Sequence, residues 1–332
     1  DFHIAGENKL NDQKMTMLGK MQIQKYLREM VDKDCEIAIL ETTSEGAVQY
    51  RNRCINYDIM ILTNLYPEHI ESHGSFENYK KAKLGIFRRA STGRRKVLTN
   101  PKFESLHSDG SGEIEKIAMV NGDIAESEEF LGAGWFGSWL VFGKTEKTKH
   151  FDEEKIKLHG DVEVVYGENV RSDSEGLHFR LAGRDFSAAM FGEHNVMNIL
   201  ATLAVGKKLG LNWPLLQNSV QAFTNAPGRN EFIHEADTYG FKVIVDYSFE
   251  PRAIAALYDV VRLLKPNRVI HVFGSTGGGR DVERRFTVGE YVGKHADICI
   301  VTDEDPYDDD PQKIIDDVAG AVEKTGKQKN ID

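Results

Sequence analysis

Two apolar runs, each breaking off into a polar, turn-forming string, constrain this chain more than any other feature. CEIAIL (Cys35–Leu40) leads into ETTSEGAVQYR (Glu41–Arg51), and DIMIL (Asp58–Leu62) leads into LTNLYPEHIESHGSFENYKKAK (Leu62–Lys83). Both runs read as buried strands. Behind the second, Tyr79, Ala82, Leu84, Ile86 and Phe87 recur at helical spacing. Strand, loop and helix in that order predict a mostly parallel sheet. In open sheets of this kind ligands collect beyond the carboxyl ends of the strands. The two strings place a carboxylate, an imidazole and a lysine at that edge, the residue types that a magnesium-phosphate site needs.

The bulk numbers narrow the class. A chain of 332 residues has room for two domains or one large one. A formal net charge of −10 argues against a nucleic-acid partner held by phosphate attraction. No apolar run approaches the roughly 20 residues of a membrane helix. The chain opens DFHIAGENKL, with no basic stretch leading into an apolar core, so no signal peptide is expected in it. Cys35, Cys54 and Cys299 are far apart and form no CxxC pair, which makes a disulfide framework or a structural zinc improbable. A reducing cytoplasm fits.

The predicted fold class is α/β: a central, mostly parallel sheet with an added antiparallel β region, then a smaller doubly wound α/β domain. The runs KVLTN, SWLVFG, VEVVYG and LHFRLAG, between about Arg95 and Met190, alternate with Gly, Ser and charged turns and are assigned to the antiparallel region. A helix is predicted over Gly192–Leu209, with Val196, Ile199, Leu200, Leu203 and Ala204 on one face and Gly210 as its C′ residue. A second is predicted over Pro214–Phe223. TNAPGRNEF (Thr224–Phe232) is the candidate junction, placing domains at 1–226 and 227–332. Beyond it FKVIVDY, RVIHVFG and DICIVTD alternate with helices near Pro251–Leu264, Val282–His295 and Pro311–Glu323.

Taken singly, the candidate residues leave their roles open. Glu41, with Thr42, Thr43 and Ser44, can supply hard oxygen ligands to Mg²⁺, or the hydroxyls can simply cap the next helix. His69 is a possible ligand or a hydrogen-bonded loop histidine. Lys83 is a solvated face residue, as Lys80 and Lys81 are expected to be, unless desolvation leaves its amine neutral enough to act as a nucleophile or take up CO₂.

Together the strings are more specific. E-x-[ST]-S-x-G-x-x-Q-x-R followed by TN-x-x-x-[DE]H-x-x-x-HG-x-x-x-x-Y-x-x-AK resembles the Mur ligases of peptidoglycan synthesis, most closely the UDP-N-acetylmuramoyl-tripeptide synthetase branch. FGEHNVMNILA, APGRNEF, VDYSFEP, and GGGRD followed by VTDEDPYDDDP agree with that resemblance in order, from Glu41 to Pro311. It implies an ATP-dependent amide ligase that activates a carboxylate as an acyl phosphate. On that reading Glu41 and His69 hold Mg²⁺, and Lys83 matches a carbamylated lysine that places a second cation. Thr43, Gln49 and Arg51 contact the UDP-muramoyl-peptide. Asn195 and Asn198 contact the ATP, Arg229 its phosphates and Asp246 its ribose. Arg280 meets the carboxylate of the incoming amino acid, with Asp305 and Tyr307 nearby. A monomer without nucleic-acid or membrane partners is expected.

The sequence departs from the family at several points. The phosphate cradle G-T-x-G-K-[ST] is not among these residues; GSTGGGRD (Gly274–Asp281) lacks the Gly-Lys-Ser/Thr ending. The cradle is expected upstream of Asp1, in a chain truncated at both ends. Phe249 stands where the family has a histidine, and Tyr307 where diaminopimelate-adding enzymes have an arginine. The acids Glu304, Asp305, Asp308, Asp309 and Asp310 suit a distal ammonium such as that of lysine or ornithine, or else serve the N-terminus of the helix at Pro311. Three other readings share the scaffold: a folate- or cyanophycin-type polyamide ligase, an amidotransferase partner without its usual four-cysteine zinc insert, and a catalytically inactive nucleotide-sugar-binding module.

Overall fold

The structure, a computed structural model, describes all residues except 1, 12, 14, 68–69, 99, 108–111, 146–161, 279–281 and 330–332, and only the backbone of 70–71. The chain divides into two compact units, Asp1–Gly167 with Met197–Trp213, and Glu168–Val196 with Pro214–Asp332.

The first unit begins with a hairpin, β1 (Phe2–Ile4) and β2 (Glu7–Lys9), followed by α1 (Lys20–Asp32) and α2 (Ser44–Val48). Its centre is a parallel sheet of β3 (Ile59–Leu62), β4 (Ile117–Asn121), β5 (Ser138–Gly143) and β6 (Val162–Tyr166), in that spatial order. Between β3 and β4 come α3 (Ile70–His73) and α4 (Phe76–Ser91), and α5 (Ser127–Leu131) follows β4. Every residue of β4 and β5 is buried. That explains their near-continuous apolar runs, since a parallel strand covered on both faces has no solvent side to alternate with. It also corrects the sequence reading: SWLVFG and VEVVYG are strands of the parallel sheet, whereas LHFRLAG falls in an antiparallel one and KVLTN makes an isolated antiparallel bridge from Val97 to Glu113.

Helix α4 follows the expected pattern. Ser75 caps it by accepting the Asn78 N–H at 3.2 Å, and Tyr79, Leu84, Ile86 and Phe87 are buried. Phe87 packs edge-on against Phe130, with ring centroids 5.2 Å apart. Lys80 is not simply solvated; it pairs with Glu77 and Glu129 at 3.2 and 3.0 Å. CEIAIL is a second correction. It forms no strand among the described residues, and Ile37 and Ile39 are 52% and 89% exposed. An apolar run becomes a strand only where a neighbour supplies the ladder, and here Leu40 alone of the leucine and isoleucines packs against the core.

The second unit opens with an antiparallel sheet, β7 (Glu168–Asp173), β8 (Gly176–Leu181) and β9 (Arg184–Ala188), in which Phe179 and Phe186 stack 5.2 Å apart. Next in the chain is α6 (Asn195–Lys208), which from Met197 on belongs to the first unit; its predicted apolar face is buried and its C′ residue Gly210 has φ +75°, as expected. Helix α7 (Trp213–Gln221) precedes the Thr224–Phe232 turn. FKVIVDY then contributes only β11 (Ile244–Val245), antiparallel to β10 (Glu231–Phe232) rather than part of the parallel sheet as expected. That sheet consists of β12 (Ile270–Phe273) and β13 (Ile298–Val301), with α8 (Pro251–Leu263), α9 (Glu283–His295) and α10 (Pro311–Glu323) around it. Helices α9 and α10 pack closely: a Cβ on Gly289 would lie 2.8 Å from Ala321 Cβ, and one on Gly293 2.6 Å from Thr325 Oγ1.

Within this unit His271 of β12 is held neutral. Its Nδ1 lies 2.9 Å from the Tyr258 hydroxyl, and burial lowers its pKa from 6.5 to about 4. The unfolded chain therefore binds a proton in a range where the folded one does not. Stability from this group is complete above pH 6.5 and is lost as pH falls towards 4, by up to about 3 kcal/mol. His271→Asn, which keeps a polar atom near Nδ1, is expected to flatten that loss in urea titrations between pH 4 and 7. An unchanged slope would contradict the assignment.

Candidate functional site

The two strings meet where α2 packs against α4. Thr43 caps α2, its side-chain oxygen accepting the Gly46 N–H at 3.1 Å, so the capping alternative holds for this hydroxyl. Its own proton is still available to donate. Gly46 is required by space, because a Cβ would approach Met17 Sδ to 2.4 Å. Next in sequence Ser44, only 4% exposed, lies 3.0 Å from His73 Nε2. The His73 ring leans on Tyr79 with centroids 5.5 Å apart, and the Lys83 ammonium lies 4.8 Å from the centroid of the same Tyr79 ring.

Lys83 is half-buried and turned toward the strand end. Its Nζ donates to the Asn64 carbonyl at 3.2 Å, and Asn121, the last residue of β4, donates to the Thr63 carbonyl at 2.7 Å. The TN pair after β3 is thus held from both sides. Glu41 is exposed in the segment before α2, Gln49 is exposed at the C-cap of α2, and the Arg51 guanidinium donates to the Met17 carbonyl. His69 and Arg280 lie outside the described residues. The donor chemistry fits Mg²⁺ in part as it stands: the Glu41 carboxylate and nearby hydroxyls are hard oxygen donors, whereas an ammonium at Lys83 is no ligand and a carbamate would be. Sequence reasoning gave His73 no role; its signal was its place just ahead of Gly74 (φ +75°) and the α4 cap.

The buried Asn195, in the second unit, donates to the Phe191 carbonyl at 2.7 Å, fixing the start of α6, and Asn198, in the part of α6 that belongs to the first unit, is exposed. Arg229 lies over the Tyr247 ring at 5.0 Å. Asp246 accepts the Asn230 N–H at 2.6 Å and the Ser248 hydroxyl. It lines a cavity of about 240 Å³ together with Ser248, His271, Thr302, Asp303 and Glu304. Burial, reinforced by Asp305, pushes the Glu304 carboxyl above its ordinary range, so an entering cation would relieve it. Phe249 packs edge-on to Tyr247 and lies under Arg284. Of the five acids noted in the sequence, Asp310 caps α10, accepting the Gln312 N–H at 2.9 Å, and Asp309 pairs with Arg285 at 3.1 Å. The helix-N-terminus alternative thus holds for Asp310. Asp305 and Tyr307 sit in the left-handed region, φ +38° and +53°.

Comparison with known proteins agrees with this geometry. Residues 2–118 match the Mur ligase middle domain, and residues 228–331 match the Mur ligase, glutamate ligase domain. The chain belongs to the Mur ligase family. It is 31% identical over 336 residues to the UDP-N-acetylmuramyl-tripeptide synthetase of Roseiflexus sp. strain RS-1, covering 99% of this chain and 60% of that protein. It is 29% identical over 316 residues to the UDP-N-acetylmuramoyl-L-alanyl-D-glutamate–2,6-diaminopimelate ligase of Geobacillus kaustophilus, covering 93% and 57%. A solved structure of a ligase with the latter name superposes with a TM-score of 0.55 at 24% identity, over 95% of this chain and 56% of that one. The chain therefore spans somewhat over half the length of these relatives.

The Ser44–His73 contact joins the two strings, and its strength can be measured. Ser44→Ala and His73→Ala are each expected to cost about 1 kcal/mol or more, and the double variant to cost less than their sum by about 1 kcal/mol. Additive losses in chemical denaturation would contradict the contact.

Proposed function

We propose that the protein is an ATP-dependent, ADP-forming amide ligase that joins a diamino acid to UDP-N-acetylmuramoyl-dipeptide. The observation that carries this reading is the meeting of the two family strings at the carboxyl ends of β3 and β4, through Ser44–His73 and Lys83–Asn64. The middle and glutamate ligase domains are assigned to 1–226 and 227–332.

In this reading Thr43, Gln49 and Arg51 hold the muramoyl-peptide so that its terminal carboxylate attacks the γ-phosphorus of ATP and ADP departs. The amine of the incoming amino acid then attacks the acyl phosphate, loses a proton and expels phosphate. Asn195 and Asn198 hold the nucleotide, Arg229 its phosphates and Asp246 its ribose. Arg280 fixes the carboxylate of the amino acid, and Asp305 and Tyr307 border its distal end. Tyr307 in place of arginine removes a bidentate carboxylate partner, which favours a distal ammonium, as in lysine or ornithine, over diaminopimelate. Glu41, His69 and a carbamate formed from CO₂ and the Lys83 amine would hold Mg²⁺, which would neutralise charge on the phosphoryl oxygens. The enzyme works as a cytoplasmic monomer, without nucleic-acid or membrane partners; among the described residues no helix is long and apolar enough to cross a membrane.

The test uses the full-length protein with ATP, Mg²⁺ and UDP-N-acetylmuramoyl-dipeptide. Phosphate release is expected to rise on adding a diamino acid and not on adding alanine. Lys83→Ala is expected to lower the rate about 10²-fold, typical for loss of one preorganised charge-stabilising group, and to recover partly with added acetate. Release independent of the amino acid would contradict the reaction, and full activity in unrescued Lys83→Ala would remove the carbamate from it.

A further inference from the structure

Arg285, in the first turn of α9, is 4% exposed, yet the reaction above gives it no part. Its guanidinium forks between two elements: Nη1 donates to Asp317 of α10 at 3.0 Å, and Nη2 donates to Asp309 of the loop ahead of α10 at 3.1 Å. A buried guanidinium is costly unless its partners are held in place, so this arrangement fixes the loop as firmly as it satisfies the charge. The loop needs fixing. Asp305 and Tyr307 both have left-handed backbones, a strained conformation for side chains with a Cβ.

A second contact shows how finely this loop is seated. The Gly277 N–H donates to the Asp305 carbonyl at 3.2 Å. A Cβ on Gly277 would fall 2.0 Å from the Pro306 carbonyl oxygen, and one on Gly278 would fall 3.1 Å from the Tyr307 ring. Residues 303–310 therefore stack on the glycine-rich loop after β12 with no slack between them. Arg285 is the tie on the far side, anchored through Asp317 to a helix pair that Gly289 and Gly293 allow to pack tightly.

We propose that Arg285 is a positioning residue that holds the 303–310 loop in the shape that receives the incoming amino acid, a role that rests on the reading of that loop given above. The pairing also takes Asp309 out of the loop's acidic set, so the charge presented to a distal ammonium comes from the residues nearer Glu304. Loss of the fork is expected to weaken amino-acid binding selectively. A merely structural arginine would instead lower folded yield or affect all substrates alike.

Three variants of the full-length protein test this: Arg285→Gln, Arg285→Lys and Asp309→Asn, the last cutting only the loop arm should Arg285→Gln fail to fold. Hydrogen exchange is expected to quicken at least tenfold at residues 303–310 in Arg285→Gln and Asp309→Asn, with α8 unchanged. KM for the diamino acid is expected to rise about tenfold, with KM for ATP and for the UDP-muramoyl-peptide within twofold of the parent, and Arg285→Lys is expected to recover part of the loss. Unchanged exchange in the loop overturns the clamp itself. Faster exchange with an unchanged amino-acid KM overturns the assignment of the loop to the amino acid. Equal rises in all three KM values reduce Arg285 to general stability and overturn the proposal.

Discussion

The buried ammonium of Lys116 is the constraint on which the candidate site edge of the first unit depends. It sits 2% exposed just before β4, at the opposite end of the sheet from the two strings. There it donates to the Asn56 side chain at 2.9 Å, to the Tyr57 carbonyl and to Asp58 at 3.2 Å, while Lys96 takes the other Asp58 oxygen. Burial lowers its pKa, and Asp58 offsets part of that cost. These bonds, with the Ile117 N–H on the Asp58 carbonyl at 2.8 Å, lock Ile59 opposite Ile117. A slip of one residue would turn every side chain of β3 to the other face. In the locked register Leu62 ends opposite Val120, which brings Thr63 within reach of Asn121 and leaves Asn64 for Lys83.

The same economy governs the loops that carry the candidate chemistry. Each is held by a few specific bonds to a rigid element rather than by a large core: the 41–44 string by a helix cap and the His73 contact, and the 303–310 loop by Arg285 and two glycines. Loops placed this way keep their exposed side chains for ligands while their backbones stay fixed. In the second unit the 240 Å³ cavity is lined by Asp246, Asp303 and Glu304 together with the neutral His271.

Local patterns in the sequence were informative, and long-range pairing was not. Helix α10 begins at Pro311 as read, because a proline at N1 and an aspartate cap are local signals. The face of α6 and its closing glycine were visible for the same reason. SWLVFG was assigned to the wrong sheet because a fully covered strand and an antiparallel one can share a composition, and only the neighbour decides. CEIAIL and FKVIVDY failed likewise: their apolar content resembles a strand, but a ladder partner is a property of the rest of the chain. Among candidate residues the ordered motifs singled out Thr43, which caps α2, and Lys83, which donates to the Asn64 carbonyl, whereas His73 and Arg285 were passed over. Arg285 did leave a trace, since it shares the helical spacing of Val288, Gly289 and Val292 and therefore lies on the buried face of α9.

The proposed activation of a substrate carboxylate by phosphoryl transfer, at the edge of the β3–β4 sheet, is open to a direct test. UDP-N-acetylmuramoyl-dipeptide with ¹⁸O at both oxygens of the reacting carboxylate, turned over with ATP and a diamino acid, tests that step directly. Attack of the carboxylate on the γ-phosphorus predicts one ¹⁸O in each inorganic phosphate released, read by mass spectrometry. Phosphate free of label, formed while amide product accumulates, would contradict it.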